Sequence, residues 1–289
     1  MKHTSKLMPY LSILLMAAIA YTTGTILAKI GALPQSNNTL FSLSAGNNSI
    51  QPQLYIIYLL ISTIILILVF RYKREWMAKV FTHMNFFMGY EITIAMFVLC
   101  VYIGGIFLPP IPLYIISIAI AIISVILWLK VKALHNTFTV LLGIAAIAVL
   151  ANAFSTFWLL VIFALMSVWD LIAVFKLKFM QALAGMAING DGKRMYPLFL
   201  YSGTRADLDS KLKGSKEVRN VALLGLGDII IPGAFVASAI VYLKTPAFPI
   251  LSVLLIGLTL DMYIARRFNR AIPALPILFA ISLIAVILL

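Results

Sequence analysis

The chain has 289 residues, 63% of them hydrophobic and only 11% charged, with a formal net charge of +13. That balance, with a mean hydropathy of +1.07, excludes an ordinary soluble domain. Cys100 is the only cysteine, which excludes an intrachain disulfide.

A helix that crosses a bilayer needs about 20 mostly apolar residues. Nine such runs follow one another in chain order: 8–30, 54–70, 82–108, 112–129, 137–153, 156–175, 220–243, 247–265 and 271–289. They are apolar throughout rather than alternating, so helices, not barrel strands, satisfy their backbone groups. The expected fold class is an all-α polytopic membrane protein with nine transmembrane helices.

The first run begins after Lys2 and Lys6 and contains Ala18-Ile19-Ala20, which resembles a signal-cleavage site. Its apolar stretch continues well past Ala20, so it is expected to be a retained helix. Pro109, Pro110 and Pro112 predict a tight turn between the third and fourth spans. No internal repeat divides the chain into the inverted halves of many carriers. The expected organisation is an N-terminal membrane portion (1–175), a polar connector (176–219) and a C-terminal membrane portion (220–289). Within the connector, KLKFMQALAGMA fits a short amphipathic helix along the inner surface.

All but two of the 22 Lys and Arg residues, Lys29 and Lys244, fall on alternate inter-span segments. The positive-inside rule then places the N-terminus in the cytosol and, with nine spans, the C-terminus outside. The basic balance is thus accounted for by topology and by contact with membrane lipids, with no nucleic-acid partner required. Acceptor tripeptides at Asn37-Asn38-Thr39 and Asn47-Asn48-Ser49 lie on the expected outer side, in accord with this orientation.

Two aspartates interrupt the apolar runs: Asp170 in SVWDLIAVF and Asp228 in GLGDIIIPG. An ionisable group at membrane depth costs about 3 kcal/mol on insertion scales and persists where a cavity or partner uses it. At a rise of about 1.5 Å per residue, Asp170 lies about 9 Å from Lys176 and Asp228 about 14 Å from Arg219, both on the cytosolic side. The two acids enter on antiparallel helices and reach comparable depth. Two close carboxyl groups in a low dielectric do not ionise together, so one holds a proton while the other takes a proton from water. The plainer alternative for each is a carboxyl that bonds a neighbouring helix or lines a water pocket, and their joint depth weighs against it. Gly225, Gly227, Pro232 and Gly233 surround Asp228 and predict a break in the helix there, against the alternative of close packing through small residues.

These residues carry a resemblance. Gly225-Leu226-Gly227-Asp228 is similar to the GxGD motif of the presenilin and signal peptide peptidase family of intramembrane aspartyl proteases, and Pro273-Ala274-Leu275 resembles its PAL motif. SVWDLIAVF resembles the family's other catalytic segment, with Trp169 where Tyr is usual. The motif order, the hydrophilic connector and the count of nine spans agree with it. The resemblance implies a presenilin-like fold and catalysis by Asp170 and Asp228. It also implies substrate contacts from Gly225, Leu226, Gly227, Pro273, Ala274 and Leu275, and no metal or organic cofactor. Pro273 lies about 5 Å along the helix from Arg270, so all three motifs share one membrane half. An indole donates one hydrogen bond and accepts none, so Trp169 is expected to form a wall beside the acid rather than to serve as a phenol.

Other acids rank lower: Glu91 is expected to be structural, and Asp261, near Arg266, an interfacial carboxylate reaching water. His3, His83 and His135 have no zinc spacing. The expected activity is endopeptidase cleavage of single-spanning membrane proteins, with the substrate N-terminus outside and the enzyme in the cell membrane. Homo-oligomerisation is left open. The main rival is a proton- or cation-coupled carrier using the buried acids as a relay.

Overall fold

The computed structural model describes residues 8–31, 57, 92–101, 103, 109–131, 134–176, 199–202, 222–268 and 272–288. In chain order these form α1 (Met8–Gly31), α2 (Ile92–Val101), α3 (Pro110–Lys130), α4 (His135–Ala153) and α5 (Thr156–Leu171), the last continued by a π-helical turn (Ile172–Lys176). Strands β1 (Phe199–Ser202) and β2 (Ala222–Gly225) come next, then α6 (Gly227–Tyr242), α7 (Ala247–Phe268) and α8 (Ala274–Leu288). Five of the described helices are long and apolar enough to cross a membrane, and α2, α6 and α8 are shorter apolar helices. The expected span 54–70 apart from Ile57, the first part of 82–108, most of the connector, Glu91, His3, His83 and both Asn acceptor tripeptides lie outside the described residues.

Local chemistry sets the helix boundaries. Pro109 caps α3 with extended backbone and Pro110 takes the first helical position, where a missing N–H costs nothing. Hence the predicted proline turn is also the start of a helix. Ser155 ends the two-residue link between α4 and α5. Lys244, at φ 57°, closes α6 in the left-handed conformation usual for the residue after a helix. Within the helices, Ser117, Ser124, Thr139, Ser167, Ser252 and Thr259 each donate to the carbonyl four residues earlier, which keeps hydroxyls satisfied in an apolar surrounding.

The core is the packing of α1 against α4 and α6, with α5 and α8 joining α6 on its other side and α7 packing on α8. Gly24 and Gly233 make the α1–α4–α6 contact: a Cβ on Gly24 would lie 2.8 Å from Ile147, and one on Gly233 2.7 Å from Ile147 and 3.0 Å from Tyr21. Small residues therefore let three backbones close around one isoleucine, which is how apolar helices associate without a hydrophobic drive. By contrast α3 turns many of its isoleucines outward, Ile111 and Ile115 among them.

Two expectations are corrected. The run 220–243 is not helical from its start: residues 222–225 form β2, antiparallel to β1, with Leu200 opposite Leu224 and Phe199 opposite Gly225. The helical rise therefore does not measure the depth of Asp228 from Arg219, and among the described residues the fold is all-helical apart from this strand pair. Nor does Pro232 break the helix, because α6 runs unbroken through it. The interruption falls instead at the strand-to-helix junction, between Gly225 and Gly227.

Candidate active site

Asp170 lies in the last turn of α5, only 7% exposed, and the ladder beyond it widens into a π-helical turn at Ile172–Lys176. Such turns are uncommon and cluster at functional positions. The Asp170 carboxyl accepts from the amide of Leu275 at 3.2 Å, and from that of Ala274. A physical reason lies in the start of α8: Ala274 and Leu275 are its first two residues, whose N–H groups have no intrahelical acceptor. Pro276, the third, has no N–H to offer. Pro273 is buried immediately before them. The segment thus presents two free amides and the positive end of a helix dipole to one carboxyl group.

Asp228 lies in the first turn of α6, where β2 gives way to helix. The Gly225 amide donates to its carboxyl group. A Cβ on Gly225 would lie 3.0 Å from Asp228 Oδ2, so the absence of a side chain is what lets the strand end lie against the acid. Leu226 is buried and lies against Gly143 of α4, where a Cβ would meet it at 3.3 Å. Gly227 is exposed, with nothing within 4 Å of where its Cβ would be. The three residues before Asp228 thus play different parts: close approach, packing and open space. Trp169 is half-buried beside Asp170.

Aromatic packing fixes the level at which the acids meet. Phe163 of α5 and Phe235 of α6 have ring centroids 5.9 Å apart, and Phe163 meets Phe279 of α8 edge-on at 5.2 Å. Phe163 precedes Asp170 by seven residues and Phe235 follows Asp228 by seven. Seven residues are about two helical turns, so on antiparallel helices each acid lies below its own phenylalanine on the same face. The two carboxyl groups are within Coulombic range of one another. Asp170, Asp228 and the start of α8 are thus brought together where α5, α6 and α8 converge.

Two residues were missed or misplaced by sequence reasoning. Tyr21 of α1, fully buried, donates its hydroxyl to the Asp228 carbonyl at 3.3 Å. That carbonyl would ordinarily receive the N–H four residues on, but residue 232 is proline and has none. The phenol therefore fills the gap that Pro232 leaves, over a sequence separation that no local signal spans. Asp261, expected at the interface and in water, is 5% exposed, and it lies within Coulombic range of Asp170 and Asp228. A signal for it existed: Ile250, Leu254, Leu258 and Asp261 follow the helical period, and the first three are buried.

Two carboxyl groups meeting inside an apolar helical bundle, Asp170 buried and Asp228 half-buried, fit a membrane-embedded hydrolase of the diaspartyl class. A family model described as "Signal-peptide peptidase, presenilin aspartyl protease" matches residues 18–288, and the chain belongs to that family. It is an integral membrane protein and an intramembrane aspartyl endopeptidase acting on membrane proteins, which leaves the carrier reading without support. Two solved structures share the fold. One, of a presenilin family intramembrane aspartate protease in space group C222, is 17% identical with a TM-score of 0.56, over 95% of this chain and 96% of that one. The other, titled likewise in space group P2, is 19% identical with a TM-score of 0.56, over 94% and 95%. No curated protein matches the chain.

Proposed function

We propose that Asp170 and Asp228 are the catalytic pair of this endopeptidase. The observation that carries the reading is the meeting of Asp170, Asp228 and the Ala274 and Leu275 amides at one junction of three helices. The ionised member of the pair takes a proton from water as its oxygen attacks the scissile carbonyl carbon, and the protonated member donates to the carbonyl oxygen. Collapse of the tetrahedral intermediate breaks the C–N bond, with the proton delivered to the leaving nitrogen. The shared proton belongs to the pair rather than to either residue.

A helical substrate shields its carbonyls, so a short stretch must unwind before water reaches it. β1 and β2 form a two-stranded sheet whose second strand ends at Gly225, beside Asp228. Its edge suits an extended substrate segment added as a further strand. Pro273, Ala274 and Leu275 bound the same space from α8 and position that segment, Gly225 keeps the approach to Asp228 narrow, and Leu226 holds the strand end against α4. Gly227 leaves an opening, and Trp169 walls the side of Asp170.

The chain threads the cell membrane nine times with its N-terminus in the cytosol and its C-terminus outside. Portions 1–175 and 220–289 bring one aspartate each, joined by the cytosolic segment 176–219. The charge pattern supports this orientation, and with it substrates that span the membrane once with their N-terminus outside. Purified protein incubated with a model single-span substrate tests the assignment. New peptide termini are expected from the wild type and from neither Asp170→Asn nor Asp228→Asn, whereas equal cleavage by either variant would overturn it. Reporter fusions at 176–219 test the orientation, which fails if that segment reports from outside.

A further inference from the structure

Asp261 is a third acid at this site, itself buried, and the proteolytic mechanism leaves it without a task. On α7 it continues the buried stripe of Ile250, Leu254 and Leu258, at a position where an apolar side chain would pack. Gly257, one turn earlier on the same face, lies against α8: its Cβ would fall 3.2 Å from Leu278 and 3.3 Å from Ile281. The loop between α7 and α8 is short, so the helices run antiparallel. One turn on from Gly257 is Asp261, and one turn back from Leu278 is Ala274. The acid is therefore carried to the level of the amides that hold Asp170, as its electrostatic interaction with Asp170 and Asp228 also requires.

The three acids differ in what they bond. The carboxyl groups of Asp170 and Asp228 have backbone donors, whereas Asp261 Oδ1 is buried with no hydrogen-bond partner among the described residues. The hydroxyls of Thr25, Thr245 and Ser282 are likewise buried and unmet, but Asp261 is an acid and lies within Coulombic range of both dyad acids, so its unmet oxygen calls for a partner that arrives at the site. Among the described residues no group of three or more His, Cys, Asp or Glu side chains is placed to hold a metal ion. What arrives at this site is substrate.

We propose that Asp261 is a specificity residue that receives a Lys or Arg side chain of the substrate, from the cytosolic flank of its membrane span. The inference rests on the proteolytic reading of the site. A neutral backbone amide would satisfy the oxygen without discriminating among sequences. A cation also compensates the negative charge of the three-acid cluster, and charge-assisted bonds are the stronger ones in a low dielectric. Long basic side chains bring such a charge along an apolar wall, and the cytosolic ends of membrane spans are where Lys and Arg concentrate.

A lysine scan tests this. Single-span substrates carrying Lys at successive positions through the cytosolic third of the span, each with a Leu-matched control, are cleaved by the purified full chain and kcat/KM is measured. Lys at one or two adjacent positions is expected to raise kcat/KM about tenfold over Leu. In Asp261→Asn that ratio falls to about one, whatever the rate on the Leu controls, whereas Asp261→Glu keeps the preference. Asp261→Thr serves in place of Asp261→Asn if the latter does not fold. Equal cleavage of Lys and Leu substrates by the wild type, or a Lys preference that survives loss of the carboxyl group, overturns the inference and leaves the dyad standing. Failure of the wild type to cleave any substrate overturns the dyad assignment and this inference with it.

Discussion

The two ends of the helical bundle differ in what their polar side chains bond. At the end away from the dyad, Asn152 of α4 donates to the carbonyls of Ala28 on α1 and Ala148 on its own helix, each at 3.1 Å, while Tyr242 of α6 donates to its Oδ1 at 3.0 Å. Thr156 and Ser238 bond across α5 and α6 at 2.9 Å. Every one of these side chains finds its partner inside the protein. At the dyad end the carboxyl groups take hydrogen bonds from backbone amides at the ends of elements, and Asp261 keeps an oxygen unmet. The difference teaches where the bundle is held and where it works: neutral side chains bonded to one another across helices stabilise, while acids gathered at one junction carry chemistry, and the unmet hydroxyls of Thr25, Thr245 and Ser282 show that an unmet atom alone marks neither.

The contrast breaks most plainly at the aspartates. Asp170→Asn and Asp228→Asn are each expected to lower cleavage at least about 1,000-fold. Because each Asn can still accept from the same amides, the melting temperature in detergent should stay within a few degrees of wild type. A large fall in melting temperature would make these acids structural and erase the distinction. At the other end, Asn152→Leu strands the Ala28 carbonyl and the Tyr242 hydroxyl and should cost about 2 kcal/mol, read as a lower melting temperature. The surviving folded protein should cleave at the wild-type rate, and an equal loss of rate would show that the two ends are not separable.

Finer changes sharpen the comparison at the dyad. Gly225→Ala places a methyl group 3.0 Å from Asp228 Oδ2. The expected result is about a tenfold fall in kcat, a loss of transition-state geometry worth roughly 1.4 kcal/mol, with little change in melting temperature. The smallest effect is expected from Tyr21→Phe, which removes the donor that stands in for the missing Pro232 amide. It should cost about 1 kcal/mol of stability and slow cleavage about threefold. Adding Pro232→Ala, which restores the amide, should recover part of both losses, and no recovery would show that the hydroxyl does not act by replacing that bond.

Asp170 and Asp228 were legible in the sequence because a carboxyl group inside a long apolar run is expensive wherever the run folds. The start of α8 was misplaced: the run was expected to be helical from 271, with Pro273 on the helix, whereas the helix begins at Ala274, after that proline. Residues 222–225 were not legible: ALLG reads as apolar helix, and its strand character comes from pairing with Phe199–Ser202 across the connector. Asp261 was misjudged because proximity to Arg266 along the chain was given more weight than the stripe of buried residues that carries it inward.

By itself the sequence determined that this chain is a helical membrane protein with two acids inside its apolar runs, since hydrophobic length, charge placement and short motifs are properties of contiguous residues. Tertiary structure alone decided that Phe163 and Phe235 set the acids at one level, that α8 turns its free amides to Asp170, and that Tyr21 completes the backbone at Asp228. The reason is physical: each of these contacts joins residues far apart in the chain, and whether a polar atom inside a membrane is satisfied depends on which helix lies beside it.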